Sequence, residues 1–307
     1  MTTREFLRLF RPLPFLPCWF LERGYPRLAY QPAMALWGKA LGAVLNTATQ
    51  RCWLRSEHDV YMPAATFAST ILRAGDVFVD VGAYDGLVSL VAAAAVGPAG
   101  RVYAFEPNPA AFAKIQCIIR GYQLARVHLE NCAVSSNDGA ATLYVPQNAA
   151  VGYFTTLTEK SAVKTDFVSQ PCRVQTLDGF WRQQRMTDPP TLLKIDVEGA
   201  EFDVLAGAAT LLASPRPPMI VFEASDSNAS GFGRTVDDVL DMLAKIGYQF
   251  WILRYPELTP IRRAADINPA GETELWTDVL ALKPAHHQVA LDRLRRRLNV
   301  VGGSNGR

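Results

Sequence analysis

Two aspartates lie close together in the stretch FVDVGAYDG, at residues 78–86. Asp80 stands inside a short apolar run, and Asp85 follows in a turn that also contains Gly82 and Gly86. Burying an ionised carboxylate costs several kcal/mol unless a positive group pairs with it. We therefore expect a cation at this turn, and the favoured interpretation is a positively charged ligand.

A third acidic residue, Glu106, ends the next apolar run in the stretch YAFEPNP. An acid at this distance after a glycine turn can accept the hydroxyls of a ribose. The turn differs from the dinucleotide pattern G-x-G-x-x-G because its middle glycine is missing, and two carboxylates would repel a phosphate. The two turns together predict a ligand with a ribose, a positive charge and no phosphate, and S-adenosylmethionine has these features.

The stretch LLKIDVEGAE contains the candidate catalytic groups. Because side chains alternate along a strand, we expect Lys194, Asp196 and Glu198 on one face at its carboxyl end. Glu223, which ends the stretch IVFEAS, is expected to face the same cleft. A carboxylate there could receive the proton of a hydroxyl acceptor. The alternative is that Asp196 only neutralises Lys194 and that Glu198 and Glu201 favour the start of the next helix.

The elements that must position these residues alternate between strand and helix from about residue 58. This alternation predicts a parallel sheet with helices on both faces, which binds ligands at the carboxyl ends of its strands. A polar segment at about 137–190 interrupts the pattern, and we expect its stretch from about Asn148 to Gln170 to lie over the cleft and to become ordered when substrate binds. The basic stretch at 285–307 is expected to be a frayed helix with a disordered end.

Several stretches resemble the FkbM family of S-adenosylmethionine-dependent methyltransferases, over about 75–223. They are FVDVGAYDG, GRVYAFEPNPAAF, NCAVSSNDGAATLYV, VQTLDGF and LLKIDVEGAEFDVLAGA. The resemblance implies an α/β class I methyltransferase fold, which is Rossmann-like: a seven-stranded, mostly parallel sheet with helices on both faces and an antiparallel last strand. It also implies methylation of hydroxyls on sugars, glycolipids or polyketides. The family often has Asn in the first turn, where this chain has Tyr84 and Asp85.

The motifs give a specific set of expected site residues. The predicted cofactor-binding residues are Asp80, Gly82, Ala83, Asp85, Gly86, Glu106, Pro107, Asn108 and Ala133. The predicted catalytic residues are Asp196, Glu198 and Glu223. No metal site is predicted, because histidines and cysteines do not cluster, although magnesium held by carboxylates is left open.

Composition limits the remaining classes of function. With 49% apolar residues among 307, the chain can form a sizeable core, and a net charge of +2 argues against nucleic acid as a main partner. Five scattered cysteines argue against a disulfide framework and favour a cytoplasmic location. We expect an N-terminal helical extension (1–57), a methyltransferase domain (58–284) and a basic tail (285–307). The arginines and aromatics of the extension suggest an alternative role in contacting a membrane or a lipid-like acceptor.

Three functions remain for comparison. The leading one is an O-methyltransferase acting on a hydroxyl of a sugar, glycolipid or secondary metabolite. The second is a non-catalytic S-adenosylmethionine-binding regulator of another protein. The third, a nicotinamide-dependent oxidoreductase, is disfavoured by the missing glycine and by Asp80.

Overall fold

The computed structural model describes residues 63–121, 123–147, 155–160, 165–254, 257–267 and 277–300. The predicted extension at 1–57 lies outside the described residues, and the proposed domain boundaries stay predictions. Within the part of the chain that is described, no helix combines the length and the apolar character needed to cross a bilayer.

Strands and helices alternate through most of the described chain. The strands are β1 (Val77–Val81), β2 (Arg101–Phe105), β3 (Val127–Glu130), β4 (Ala133–Val134), β5 (Gly139–Pro146), β6 (Phe167–Gln175), β7 (Leu192–Ile195), β8 (Met219–Ala224), β9 (Gln249–Arg254), β10 (Glu257–Ile261), β11 (Thr277–Leu282) and β12 (Asn299–Val300). The helices are α1 (Pro63–Ile71), α2 (Leu87–Val96), α3 (Pro109–Gly121), α4 (Leu177–Gln183), α5 (Glu201–Ala206), α6 (Ala209–Leu212), α7 (Asp226–Ser230), α8 (Val236–Lys245), α9 (Ala264–Ile267) and α10 (Pro284–Arg297).

The large sheet has the order β12-β10-β9-β11-β8-β7-β1-β2-β3. Its strands from β3 to β8 are parallel, and β11 inserts antiparallel between β8 and β9. The predicted Rossmann-like fold with an antiparallel last strand is therefore confirmed, and β10 and β12 extend the sheet beyond the seven expected strands. The chain runs outward from β1 to β3 and returns at β7, so β1 and β7 form the point where the strand order reverses and ligands bind.

Both faces of the sheet are covered by helices because successive strand residues point to opposite sides. Phe78 packs on one face with Phe67 of α1 and Leu294 of α10. Val79 packs on the other face with buried residues of α4, α5 and α8, including Trp181. The sheet is thus buried on both sides, and the carboxyl ends of the parallel neighbours β1, β7 and β8 meet at one edge.

The stretch RVHLENCAVS, which its apolar pattern predicts to be a single third strand, forms two strands. β3 joins the large sheet, whereas β4 joins a small sheet of order β4-β6-β5 with two strands of the interrupting segment at about 137–190, which we call the insertion. The chain turns at Asn131, whose side-chain amide donates to the carbonyls of Glu106 and Pro107 at 2.8 and 3.2 Å. The stretch AEFDVLAGAATLLA, whose pattern predicts one helix over 200–213, is also divided, into α5 and α6. A Cβ on Gly207, between them, would lie 2.1 Å from the carbonyl oxygen of Ser135.

The expectation of a frayed C-terminal helix was wrong for residues 284–297. Helix α10 packs against α1 and buries Ala290, Leu291 and Leu294. Arg293 donates to the carbonyl of Ile71 at the end of α1, where cations stabilise the helix dipole. The many basic residues of this stretch obscured apolar residues that recur every three to four positions, which is the spacing of one face of a helix.

Leu294→Ala should test whether this helix is part of the fold. Leu294 is fully buried, so we expect a loss of about 2–5 kcal/mol in the free energy of unfolding. Val289→Ala is the matched control on the same helix because Val289 is 64% exposed, and it should change stability by less than about 0.5 kcal/mol. Equal denaturant midpoints for both variants would show that α10 contributes no core.

Candidate active site

The turn after β1 depends on left-handed backbone. Gly82 and Gly86 both have φ of 79°, and Tyr84 between them has φ of 46°. A Cβ on Gly82 would lie 1.8 Å from the carbonyl oxygen of Asp196, and one on Gly86 would lie 3.3 Å from Ile115. The predicted tight turn is confirmed, but the space beside both glycines is filled by the protein itself rather than kept open for a ligand.

Asp80 has its positive partner inside the protein. Its Oδ1 lies 3.2 Å from Nζ of Lys194 on the neighbouring strand β7, and its Oδ2 accepts a 2.6 Å hydrogen bond from Ser89. The expectation that a ligand must supply this charge was wrong, because sequence reasoning paired Lys194 with Asp196 alone. A contact between Asp80 and the cofactor stays a prediction.

Lys194 joins the ends of the two central strands. Besides Asp80, its Nζ lies 3.3 Å from Oδ2 of Asp196 and donates to the carbonyl oxygen of Gly82 at 2.6 Å. Burial by itself would lower the pKa of Lys194, but the charges of Asp196 and Asp80 outweigh it and raise that pKa above its ordinary value. The buried ammonium therefore stays charged and holds the β1 turn against the residues after β7.

Glu106 braces the turn after β2 against the turn after β1. Its two oxygens accept hydrogen bonds from the backbone N–H groups of Tyr84, at 2.7 Å, and Asn108, at 2.8 Å. Burial raises the pKa of Glu106 to about 7. A carboxylate oxygen can accept more than one hydrogen bond, so both oxygens retain capacity for ribose hydroxyls.

The other predicted cofactor residues surround these two turns. The side chain of Asp85 accepts a hydrogen bond from the N–H of Leu87 in the first turn of α2. The side chain of Asn108 accepts one from a backbone N–H in the first turn of α3. Ala83 donates its N–H to the carbonyl of Phe105. Pro107 is held by Asn131, and Ala133 is buried in β4 of the small sheet. The structure brings the two turns together, while a role of each residue in binding stays a prediction.

The three predicted catalytic carboxylates meet at the carboxyl edge of the sheet. Oxygens of Asp196, Glu198 and Glu223 all lie within 4.8 Å of one another. These carboxylates do not meet through the predicted alternation of side chains along one strand. Strand β7 ends at Ile195, and Glu198 has the left-handed φ of 58°. A sharp turn, rather than an extended strand, carries Glu198 to Glu223.

Asn228 is a site residue that sequence reasoning missed. It is buried on the short helix α7, and its Nδ2 lies 2.8 Å from an oxygen of Glu198 and 3.4 Å from an oxygen of Glu223. The available signal was its place in SDSN, a polar run directly after β8.

A buried glutamate fixes the loop after β7. Oε1 of Glu201 accepts hydrogen bonds from the N–H groups of Val197, at 3.0 Å, and Gly199, at 3.3 Å. A Cβ on Gly199 would lie 2.3 Å from the carbonyl oxygen of Asn228. The loop is therefore packed directly on α7, which explains how Glu198 is held in its strained conformation.

Burial and like charges disfavour ionisation around this cleft. Burial, followed by the charge of Asp196, raises the pKa of both Glu198 and Glu223 well above the ordinary value. Burial also raises the pKa of Glu201 and of Asp278, the latter the register partner of Glu223 on β11, to about 7. A cationic ligand beside these groups would favour their ionised forms.

The carboxylate cluster has oxygens close enough for one small cation to contact all three residues. Carboxylate oxygens are the ligands that magnesium uses in proteins. Acidic groups also gather without a metal, so the expectation of no metal site stays a prediction.

Residues 155–160 of the insertion connect the two sides of the cleft. Oγ1 of Thr155 accepts a 3.2 Å hydrogen bond from Asn108 after β2, and Oγ1 of Thr158 donates to the carbonyl of Gly231 after α7. This arrangement agrees with the expectation that part of the insertion lies over the cleft.

The sheet order and the acidic residues at its switch point define a methyltransferase of the class I fold. The chain belongs to the FkbM methyltransferase family, because the model of the methyltransferase FkbM domain matches residues 80–250, more than half of the chain. The family and fold predicted from the motifs are confirmed, and S-adenosylmethionine is the cofactor that they support. None of the curated proteins matches this sequence.

Solved structures with a similar fold include an FkbM methyltransferase from Methylobacillus flagellatus, at 17% identity and a TM-score of 0.41. The match covers 80% of this chain and 60% of that chain, so this chain spans less than two thirds of that protein. An O-methyltransferase from Thermotoga maritima matches at 14% identity, over 79% and 71% of the two chains, with a TM-score of 0.39. Fibrillarin from Aeropyrum pernix, described with bound S-adenosylmethionine, matches at 11% identity over 72% and 74%, with a TM-score of 0.40.

Lys194→Met should destabilise the fold because it leaves Asp80 buried without its positive partner. We expect a loss of about 3–5 kcal/mol in the free energy of unfolding, measured by chemical denaturation. Lys245→Met, on the exposed end of α8, is the control and should have little effect. Adding Asp80→Asn to Lys194→Met should recover part of the loss, and a Lys194→Met protein as stable as the wild type would contradict the central role of this ion pair.

Proposed function

We propose that this chain is an S-adenosylmethionine-dependent O-methyltransferase whose acceptor is a hydroxyl of a sugar, a glycolipid or a secondary metabolite. The observation that carries the proposal is the meeting of Asp196, Glu198 and Glu223 beside the turn at Gly82, at the switch point of a methyltransferase fold. Those groups offer a place for a cation and a destination for a proton at the same edge of the sheet.

The residues present fit S-adenosylmethionine. Glu106, fixed by two backbone N–H groups, can accept ribose hydroxyls, and the neighbouring turn offers no cluster of lysines or arginines for a pyrophosphate. When bound, the cofactor supplies an activated methyl group on a sulfonium. The acidic groups after β7 and β8 favour that positive charge through the field of their ionised forms.

The chain must provide a group that receives the proton of the acceptor hydroxyl. A hydroxyl oxygen that gains a methyl group loses its hydrogen, and a carboxylate of the cluster is placed to take it. Most of the rate enhancement then comes from holding the acceptor in line with the methyl group, since alignment of the reacting atoms is worth several kcal/mol.

The partners proposed from the sequence are a small-molecule or glycolipid acceptor and no nucleic acid. A cytoplasmic location, with peripheral membrane contact through residues 1–57, is part of the same proposal. Its support is the mixture of arginines and aromatics in that segment, which is typical of surfaces that lie on a membrane.

The function is tested first by calorimetry with S-adenosylmethionine and with NAD. We expect S-adenosylmethionine to bind, and binding of NAD alone would overturn the proposal. Glycolipids and small metabolites from cells with and without the gene are then compared by mass spectrometry, and one compound should lose a methyl group when the gene is absent. Tight cofactor binding with no change in any methylated compound would favour a regulatory, non-catalytic protein.

Glu106→Ala should weaken cofactor binding at least about tenfold. A hydrogen bond to a charged group contributes about 1.5–3 kcal/mol, and 1.4 kcal/mol is a factor of ten in affinity. Calorimetry should show a similar loss for S-adenosylhomocysteine, which has the same ribose but lacks the sulfonium. Glu106→Gln keeps the size of the side chain, but its amide oxygen can accept from only one of the two backbone N–H groups, so this variant removes the charge and part of the brace between the two turns. Unchanged affinity in Glu106→Ala would place the ribose contact elsewhere.

A further inference from the structure

We infer that Glu198, rather than Asp196 or Glu223, receives the proton from the acceptor hydroxyl, and that Asn228 is the positioning residue that holds Glu198 for this step. The inference deepens the proposed function and rests on it. It follows from the different surroundings of three carboxylates whose oxygens lie within 4.8 Å of one another.

Asp196 is committed to an ion pair. Its Oδ2 lies 3.3 Å from the ammonium of Lys194, which also binds Asp80 and the carbonyl of Gly82. To take up the proton of an acceptor, Asp196 would have to give up this ion pair. Asp196 therefore serves the architecture of the two central strands.

Glu223 lies among like charges without a compensating cation of its own. It stands on β8 beside Asp278 of β11, and its contact with Asn228 is long, at 3.4 Å. Burial, Asp196, Glu198 and Asp278 all raise the pKa of Glu223. Its longer contact with Asn228 therefore fixes Glu223 less closely than the 2.8 Å hydrogen bond fixes Glu198.

Glu198 differs from both neighbours in two ways. Its backbone has the left-handed φ of 58°, which is strained for a residue other than glycine and persists only when the surroundings impose it. Burial and the charge of Asp196 raise the pKa of Glu198, as they do for Glu223, but its side chain accepts the short hydrogen bond from Asn228, at 2.8 Å, and both that bond and Lys194 favour the ionised form. Strain at a residue whose carboxylate is fixed by this hydrogen bond, and that forms no ion pair with a described residue, points to a role in the reaction.

The imposed conformation depends on α7. Gly199, the residue after Glu198, packs so closely on the carbonyl of Asn228 that a Cβ would lie 2.3 Å from that oxygen. Asn228 thus contacts the loop through its backbone and aims Glu198 through its side chain. Of the side chains that the structure describes, that of Asn228 donates the hydrogen bond to Glu198.

The step balances without another reactant. The acceptor O–H bond breaks and its proton passes to the carboxylate of Glu198, while the oxygen forms a bond to the methyl carbon. The carbon–sulfur bond of the sulfonium breaks and its electron pair stays on sulfur, giving a neutral thioether. The products are a methyl ether, S-adenosylhomocysteine and a protonated Glu198 that returns its proton to water.

The test uses the full chain, labelled S-adenosylmethionine and, as acceptor, an extract of glycolipids and small metabolites from cells that lack the gene. Glu198→Gln should slow methyl transfer on the order of 10²–10⁴-fold, whereas Asp196→Asn and Glu223→Gln should slow it far less. Asn228→Ala should slow transfer on the order of 10²-fold, as misplacement of a reacting group does. The KM and Kd for S-adenosylmethionine should change far less than the rate does in Glu198→Gln and Asn228→Ala.

The double variant separates positioning from general support of the fold. If Asn228 acts through Glu198, then Asn228→Ala should cause no further loss of rate in the Glu198→Gln background. Ser230→Ala, an exposed change on the same helix, is the control and should retain the wild-type rate. Cofactor binding by every variant shows that it is folded.

Three results would overturn the inference. They are a normal rate in Glu198→Gln, a slower rate in Asp196→Asn than in Glu198→Gln, and an undiminished effect of Asn228→Ala in the Glu198→Gln background. Each leaves the proposed function standing, because the wild-type chain transfers the methyl group. A wild-type chain that binds S-adenosylmethionine and methylates nothing in the extract overturns the proposed function itself, and the inference with it.

Discussion

The buried ammonium of Lys194 is the interaction on which the rest of the site depends. It lies between two strands that are neighbours only because the chain returns to the centre of the sheet after the insertion. By contacting Asp80, Asp196 and the carbonyl of Gly82, it ties the turn of one strand to the loop of the other. A charge buried this deeply is tolerated only with such partners, so the positions of both turns follow from satisfying it.

The remaining carboxylates outnumber the cations available to them at this edge. Glu106, Glu201 and Asp278 are each held by backbone N–H groups, which lower the cost of their charge without adding a cation. Helix α1 contributes through the N–H of Ala64, whose position at the start of the helix adds the favourable end of the helix dipole to Asp278. The carboxyl groups of this cleft therefore ionise less readily until a positively charged ligand binds beside them.

The strong regularities of the sequence predicted the fold and the place of the site. Strands β1, β2, β7 and β8 lie where the apolar runs predicted, because parallel strands buried on both faces give a clear pattern. The partner of Asp80 was misjudged because Lys194 is far away in sequence, and only the order of the strands makes them neighbours. Asn228 escaped notice for a similar reason, since its function depends on a contact with the loop after β7.

The acceptor side of the cleft is built from the irregular parts of the chain. Helix α7 has five residues, and it contacts Glu198 through Asn228 and the insertion through Gly231. Residues 155–160 reach from that helix to Asn108 on the cofactor side. Regular strand ends thus fix the turns proposed to bind the cofactor, whereas short, irregular segments shape the side proposed to bind the acceptor. Such segments tolerate sequence change more readily than a packed sheet does, so one fold can keep its methyl donor while the acceptor changes.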